Sequence, residues 1–126
     1  MPWHLQESKQ IQVGEGDYDV STSIQVVAGD TLMFNAWGEI WAGVWFTGTN
    51  GPRGWDWRDT NNKFPLPGAH PFQLLGKLDA GYFEVGDSHR IDETPDQGEL
   101  YLRINDDRPG NGNGAFQCIV QVYRND

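Results

Sequence analysis

The residues best able to do chemistry stand in one short run, Asn105-Asp106-Asp107-Arg108-Pro109-Gly110-Asn111-Gly112-Asn113-Gly114. Asn105, Asp106, Asp107, Asn111 and Asn113 offer carboxylate and amide oxygens. The interleaved glycines let backbone carbonyls turn inward at little steric cost. Hard cations such as Ca²⁺ gather oxygen ligands at about 2.3–2.6 Å, so the run has the chemistry of a calcium site. The same residue types are ordinary turn formers, and composition alone leaves a plain polar hairpin connection as the alternative.

A second chemically rich stretch, residues 51–62, contains Arg53, Trp55, Trp57, Asp59 and Asn62. Small-molecule sites pair a hydrophobic body with a few placed polar groups. Asp107 and Asn111 supply acceptors, Arg108 or Asn62 supply donors, and Trp55 and Trp57 supply the platform.

Other chemistries find little support. Asp106 and Asp107 are adjacent, so strand alternation sends their side chains apart, whereas a retaining-glycosidase pair converges at about 5–5.5 Å. His4, His70 and His89 have no metal-binding spacing, and His70, just before Pro71, reads as a turn or packing residue. No nucleophile-elbow or phosphate-cradling motif is present. An enzymatic reading would have to assemble Asp59, His70 and Asp107 as a small hydrolase without a motif, so the expectation is a non-enzymatic protein. The lone Cys118 excludes an intrachain disulfide and alternates with Phe116 and Val120, as a buried structural thiol would.

The elements that must position these groups read as strands. Leu100, Leu102 and Ile104 alternate with Tyr101, Arg103 and Asn105; Phe116, Cys118, Val120 and Val122 alternate with Gln117, Ile119 and Gln121. Residues 11–13, 21–27, 31–37, 72–78, 81–85 and 88–91 predict further strands. Residues 28–30 and 86–87 are tight turns, each expected to close a hairpin. Residues 39–46 predict another strand or an irregular aromatic wall. Trp37, Trp41 and Trp45 are expected in the core or facing a sheet. Residues 47–70 have no regular period, yet Trp55, Trp57 and Phe64 argue for a packed, functional loop. Asp92, Glu93 and Asp96 read as a solvated acidic turn. The whole predicts an all-β fold, an antiparallel β-sandwich of jelly-roll type.

The chain of 126 residues is long enough for one domain, 1–126, with a sizeable core. Its 16 glycines and 7 prolines suit short strands joined by tight turns. A formal net charge of −9 argues against nucleic-acid or anionic-membrane partners, which require basic surface. No apolar run approaches the roughly 20 residues that span a bilayer, so no membrane insertion is expected. Residues 1–6 lack a basic-then-apolar leader, so the expectation is a chain kept in the cytosol, exported by a leaderless route, or already relieved of its leader.

Several pieces occur in a telling order: Ala28-Gly29-Asp30-Thr31, Ala36-Trp37-Gly38, a long polar loop, then Leu74-Leu75-Gly76-Lys77-Leu78. Tyr82-Phe83-Glu84-Val85-Gly86, Gly98-Glu99-Leu100-Tyr101-Leu102, Asn105-Asp106-Asp107-Arg108-Pro109-Gly110 and Gly114-Ala115-Phe116 follow. This order resembles the LecA (PA-IL) family of bacterial galactose-binding lectins over residues 21–122. The resemblance implies a small jelly-roll β-sandwich of the galactose-binding-domain type. It also implies galactose-type glycans bound through calcium on the loop before the last strand, and a homo-oligomer, dimer or tetramer.

Carried over residue by residue, the family's aspartate that touches both calcium and sugar falls on Asp107, with Asp106 adjoining as a further oxygen. A backbone-carbonyl ligand falls on Asn111 and another near Ala42, where the family often has tyrosine. The family's paired acidic or amide side chains have no clean match. The loop is shorter here, Gly112 stands where one amide is expected, and Asn111 or Asn113 supplies the other. The family's sugar-contacting His and Gln have no match; Asp59 and Asn62 lie near their place. Arg108 is unusual beside the calcium aspartate and suits either a carboxylated sugar or a partial substitute for the cation. The alternative that drops the metal is a calcium-independent carbohydrate-binding or protein-interaction module using Arg53, Trp55 and Trp57 of loop 51–62.

Overall fold

Alternation of apolar and polar side chains, one face of each strand inward, builds the long strands. In the computed structural model, which describes residues 3–43, 48–56, 58 and 63–125, the elements are β1 (Trp3–Gly14), β2 (Val20–Val26), β3 (Thr31–Trp41), β4 (Thr49–Asn50), β5 (Leu74–Leu78), β6 (Gly81–Glu84), β7 (Ser88–Ile91), β8 (Gly98–Ile104) and β9 (Asn113–Asn125). One sheet runs β1-β9-β3-β4, with β7 also paired to β3; the other runs β2-β8-β5-β6. Every pairing is antiparallel. The architecture is the all-β antiparallel sandwich that the alternation predicts. Among the described residues no helix is long and apolar enough to cross a membrane.

The core lies between the sheets. Phe116, Cys118, Val120 and Val122 of β9 and Leu32, Phe34 and Ile40 of β3 face Leu100, Leu102 and Ile104 of β8, Ile24 of β2 and Leu74 of β5. Phe34 meets Phe83 edge-on, ring centres 5.9 Å apart. Burying a large apolar side chain contributes about 1.5–3 kcal/mol, so this double layer dominates stability. Burial pushes the Cys118 thiol up to about 12, which suits a structural rather than a reactive cysteine.

The expected hairpins are corrected by the pairing. β2 and β3 belong to different sheets, as do β6 and β7, so turns 27–30 and 86–87 carry the chain across the sandwich. β8 and β9 are also in opposite sheets, so the oxygen-rich run 105–112 is a crossing and not a hairpin loop. The physical reason is that both connections use the same turn residues, and the strands turn an apolar face inward either way. The pairing of β5 with β6 is a hairpin, with Leu78 opposite Gly81.

Two strands outrun their patterns. β1 begins at Trp3 and pairs with β9 from Trp3–Asn125 onward, though its first residues are mostly exposed and show no apolar stripe. β3 continues past Trp37 to Trp41 because its backbone stays paired with β9. Trp37 stands on the outer face, 45 % exposed, and Trp41 is half-buried; Trp45 lies outside the described residues.

The first crossing is held by Asp30, which is fully buried. Its carboxylate accepts the Val27 N–H at 3.0 Å and takes a fork from Arg124 of β9, Nε at 2.8 Å and Nη2 at 3.0 Å. Removing one partner of a buried ion pair costs about 3–5 kcal/mol, and Arg124 keeps some solvent. Asp30→Ala is therefore expected to lose about 3 kcal/mol in denaturant unfolding; a loss under about 0.5 kcal/mol would show that the pair does not hold the crossing.

Candidate functional site

Asn105, fully buried at the end of β8, ties the two chemically rich stretches together. Its Oδ1 accepts the Leu66 N–H at 3.0 Å, and its Nδ2 donates to His70 O at 2.9 Å and Leu66 O at 3.3 Å. Its backbone accepts the Phe72 N–H at 2.6 Å and donates to Gln73 O at 2.8 Å. Asn105 is thus spent on structure. It docks segment 66–73 onto the base of loop 105–112.

The loop turns on Asp106, whose Oδ1 accepts the Arg108 N–H at 2.9 Å. Asp106 is only 2 % exposed, and among the described residues its buried Oδ2 has no hydrogen-bond partner. Beside it is the equally buried carboxyl of Glu15, from the turn between β1 and β2. Burial first, then Glu15 through its charge and through a hydrogen bond that a protonated carboxyl would make to it, then the charge of Asp107, pushes the Asp106 carboxyl up to about 7 despite the Arg108 N–H. Two adjacent carboxylates without water are costly unless a proton or a cation offsets their charge.

Glu15 also shapes the loop. Its Oε1 accepts the N–H groups of both Gly110 and Gly112, each at 3.1 Å, and its own N–H donates to Gly114 O at 3.0 Å. In a trans peptide the carbonyl points opposite to the N–H. With the Gly112 N–H turned to Glu15, the Asn111 carbonyl faces the segment after β3. A Cβ on Gly43 would lie 2.5 Å from Asn111 O, so the φ of +87° and the close approach both require glycine there. A Cβ on Gly112 would lie 1.7 Å from Trp41 O. Packing against Trp41 explains why glycine stands where the resemblance expects an amide side chain.

This close contact brings Ala42, buried, to the loop. The Asn111 carboxamide lies against Ala42 O and Arg108 O. With no ion, the satisfied arrangement has Nδ2 donating to both carbonyls at 2.8 Å; a cation there would turn Oδ1 inward so that three oxygens converge. Converging oxygens are the donor set of a hard cation. Among the described residues no group of three His, Cys, Asp or Glu side chains could hold a metal, so any cation here would rest largely on carbonyl and amide oxygens. The buried Asp106 Oδ2, the flanking Glu15 and the oxygen cluster together fit such an ion.

The remaining expected residues are placed as follows. Asp107 and Arg108 are exposed on the loop. Asn113 opens β9 opposite Trp41, also exposed. Trp55 is half-buried and packs on the core, its ring 6.2 Å from Phe72, which spends much of its surface on structure. Trp57, Asp59 and Asn62 lie outside the described residues. Arg53, Trp55, Asp56, His70 and Asp87 line a cavity of about 480 Å³. His70 Nδ1 is 2.7 Å from Trp55 O, so it is the protonated ring nitrogen, donating to that carbonyl and bracing the loop.

Sequence reasoning missed Glu15 entirely. The one available signal is its flanking by Gly14 and Gly16: a Cβ on Gly16 would already sit 3.5 Å from Gly110 Cα.

No protein-family model matches the chain, and no curated protein matches it. Among solved structures it is similar to one described as "EclA N-terminal domain; PllA-like lectin", with a TM-score of 0.71 and 22% sequence identity, covering 94% of this chain and 97% of that one. The likeness shows the β-sandwich fold of that lectin domain.

A carboxyl raised in the folded state stabilises the fold below its unfolded value and loses that contribution as pH rises through its folded value. In EDTA, the wild type is therefore expected to lose stability between about pH 4 and pH 7 relative to Asp106→Asn, as read by urea midpoints. Parallel pH curves for the two proteins would contradict the carboxyl pairing.

Proposed function

We propose that this domain is a LecA-like, calcium-dependent carbohydrate-binding lectin of galactose-type specificity, with sugar held at loop 105–112. The observation that carries the reading is the gathering of Ala42 O, Arg108 O and the Asn111 carboxamide on the loop that the buried Glu15 and Asp106 hold. The fold shared with a lectin domain supports it. Bound there, calcium supplies positive charge and open positions for vicinal sugar hydroxyls. Asp107, at the exposed rim, faces both ion and sugar; Arg108 reaches a sugar hydroxyl or carboxylate; Asn113 flanks them. No bond is made or broken, so no catalytic group is needed. Assembly as a dimer or tetramer would turn weak single-site binding into avidity.

A second reading places the ligand at the cavity by Arg53, Trp55 and His70, without metal. The exposed Arg53 beside a braced imidazole favours it.

Thermal melting separates the readings. A ligand of the folded state adds about 2.7 kcal/mol at one hundred times its dissociation constant. The midpoint is expected to rise from EDTA to millimolar CaCl₂ and again with galactose, and Asp107→Ala should lose both increments while melting like wild type in EDTA. A galactose shift that survives EDTA would move the site to the Arg53 cavity; no shift under any condition would refute both.

A further inference from the structure

Glu15 comes from a turn that the calcium resemblance does not involve, yet it touches more of the loop than any residue the sequence nominates. The turn itself is fixed. Asp17 Oδ2 accepts the Gly14 N–H at 2.7 Å. Asp19 accepts Tyr82 Oη at 2.6 Å and Lys77 Nζ at 3.2 Å, while Arg103 lies 4.9 Å from the Tyr18 ring centre. The turn is therefore clamped to the outer face of the β2-β8-β5-β6 sheet before the loop is considered.

From that fixed turn, Glu15 reaches the two glycine N–H groups and orients the peptides between them. The peptide ending in the Gly112 N–H carries the Asn111 carbonyl, which lies against Gly43, and the Asn111 side chain beside it meets Ala42 O and Arg108 O. Its carboxyl is 2 % exposed and shares its burial with Asp106, whose Oδ2 is unsatisfied among the described residues. A carboxylate that only needed to accept two N–H bonds has no reason to sit against a second buried acid. A neutral Gln would accept the same two bonds without the repulsion.

We infer that Glu15 is a positioning residue for the cation centre of loop 105–112, holding the Gly110 and Gly112 N–H groups on either side of Asn111 and supplying, with Asp106, the buried negative charge that draws the cation. This rests on the cation reading given above. It deepens that reading by assigning the site's charge to a buried pair reaching across from β1–β2, beneath the exposed Asp107. Charge count is one lever by which oxygen sites tune calcium affinity. The pair has a cost when the ion is absent, since the buried groups must then either face each other as like charges or hold a proton between them.

The test is isothermal titration of CaCl₂ into the full chain at pH 7.5, beside melting in EDTA, for wild type, Glu15→Gln and Asp106→Asn. Glu15→Gln keeps an acceptor for both glycine N–H groups and loses only the charge. It is expected to bind calcium at least tenfold more weakly, while melting in EDTA at or above the wild-type temperature. A purely structural Glu15 would move the opposite quantities: lower metal-free melting and unchanged affinity. Asp106→Asn removes the other charge of the pair and is expected to show the same opposed shifts, which keeps the test open should Glu15→Gln misfold. If wild type binds calcium and both variants bind it equally well, the inference falls and the cation reading stands. If wild type gives no heat and no melting shift with calcium, both fall together.

Discussion

Two carboxyl groups that water scarcely reaches, Glu15 and Asp106, set the terms for everything around them. Buried like charges raise the free energy of the fold unless something neutralises them. Here one carboxyl gains two backbone N–H groups, the other gains one, and an oxygen of Asp106 is left over. The loop between β8 and β9 is wrapped on this pair. Its glycines permit the contact with Trp41 and Gly43, and that contact brings the Asn111 carboxamide to Ala42 O and Arg108 O. A local electrostatic debt and a local excess of oxygens are thus parts of one arrangement.

The sandwich makes the arrangement possible by crossing between sheets. Turns from three places, after β1, after β3 and after β8, come together around loop 105–112, and Asn105 adds the segment before β5. Strands on both sheets stiffen these ends through a core of interdigitated aliphatic and aromatic side chains. Asp30 does the equivalent work at another crossing with a single ion pair.

Much of the fold was legible in the residues. The alternation in 100–105 and 116–122 marks Leu100, Leu102, Ile104, Phe116, Cys118, Val120 and Val122 as one face each, and all are buried in the core. What alternation cannot carry is which sheet a strand joins, because an arch and a hairpin present the same apolar face to the core. For that reason the turns at 28–30 and 86–87 read as hairpins and are crossings, as is the run 105–112. In the site, Ala42 and Asn111 were nominated through the family resemblance, and the structure sets them in contact. Asn105 is among the oxygen-bearing residues of the run, but its buried amide serves as a structural tie to Leu66 and His70. Glu15 left almost no trace, because its meaning depends on a partner more than ninety residues away.

The central claim is that loop 105–112 gathers oxygens for a cation, and the orientation of Asn111 reports it most directly. A crystal structure grown with CaCl₂ is expected to show an ion at about 2.3–2.6 Å from Ala42 O and Arg108 O, with Asn111 Oδ1 turned toward it. A structure from the same conditions with no ion, and with Asn111 Nδ2 donating to both carbonyls, would contradict the account and reduce the loop to a self-bonded crossing.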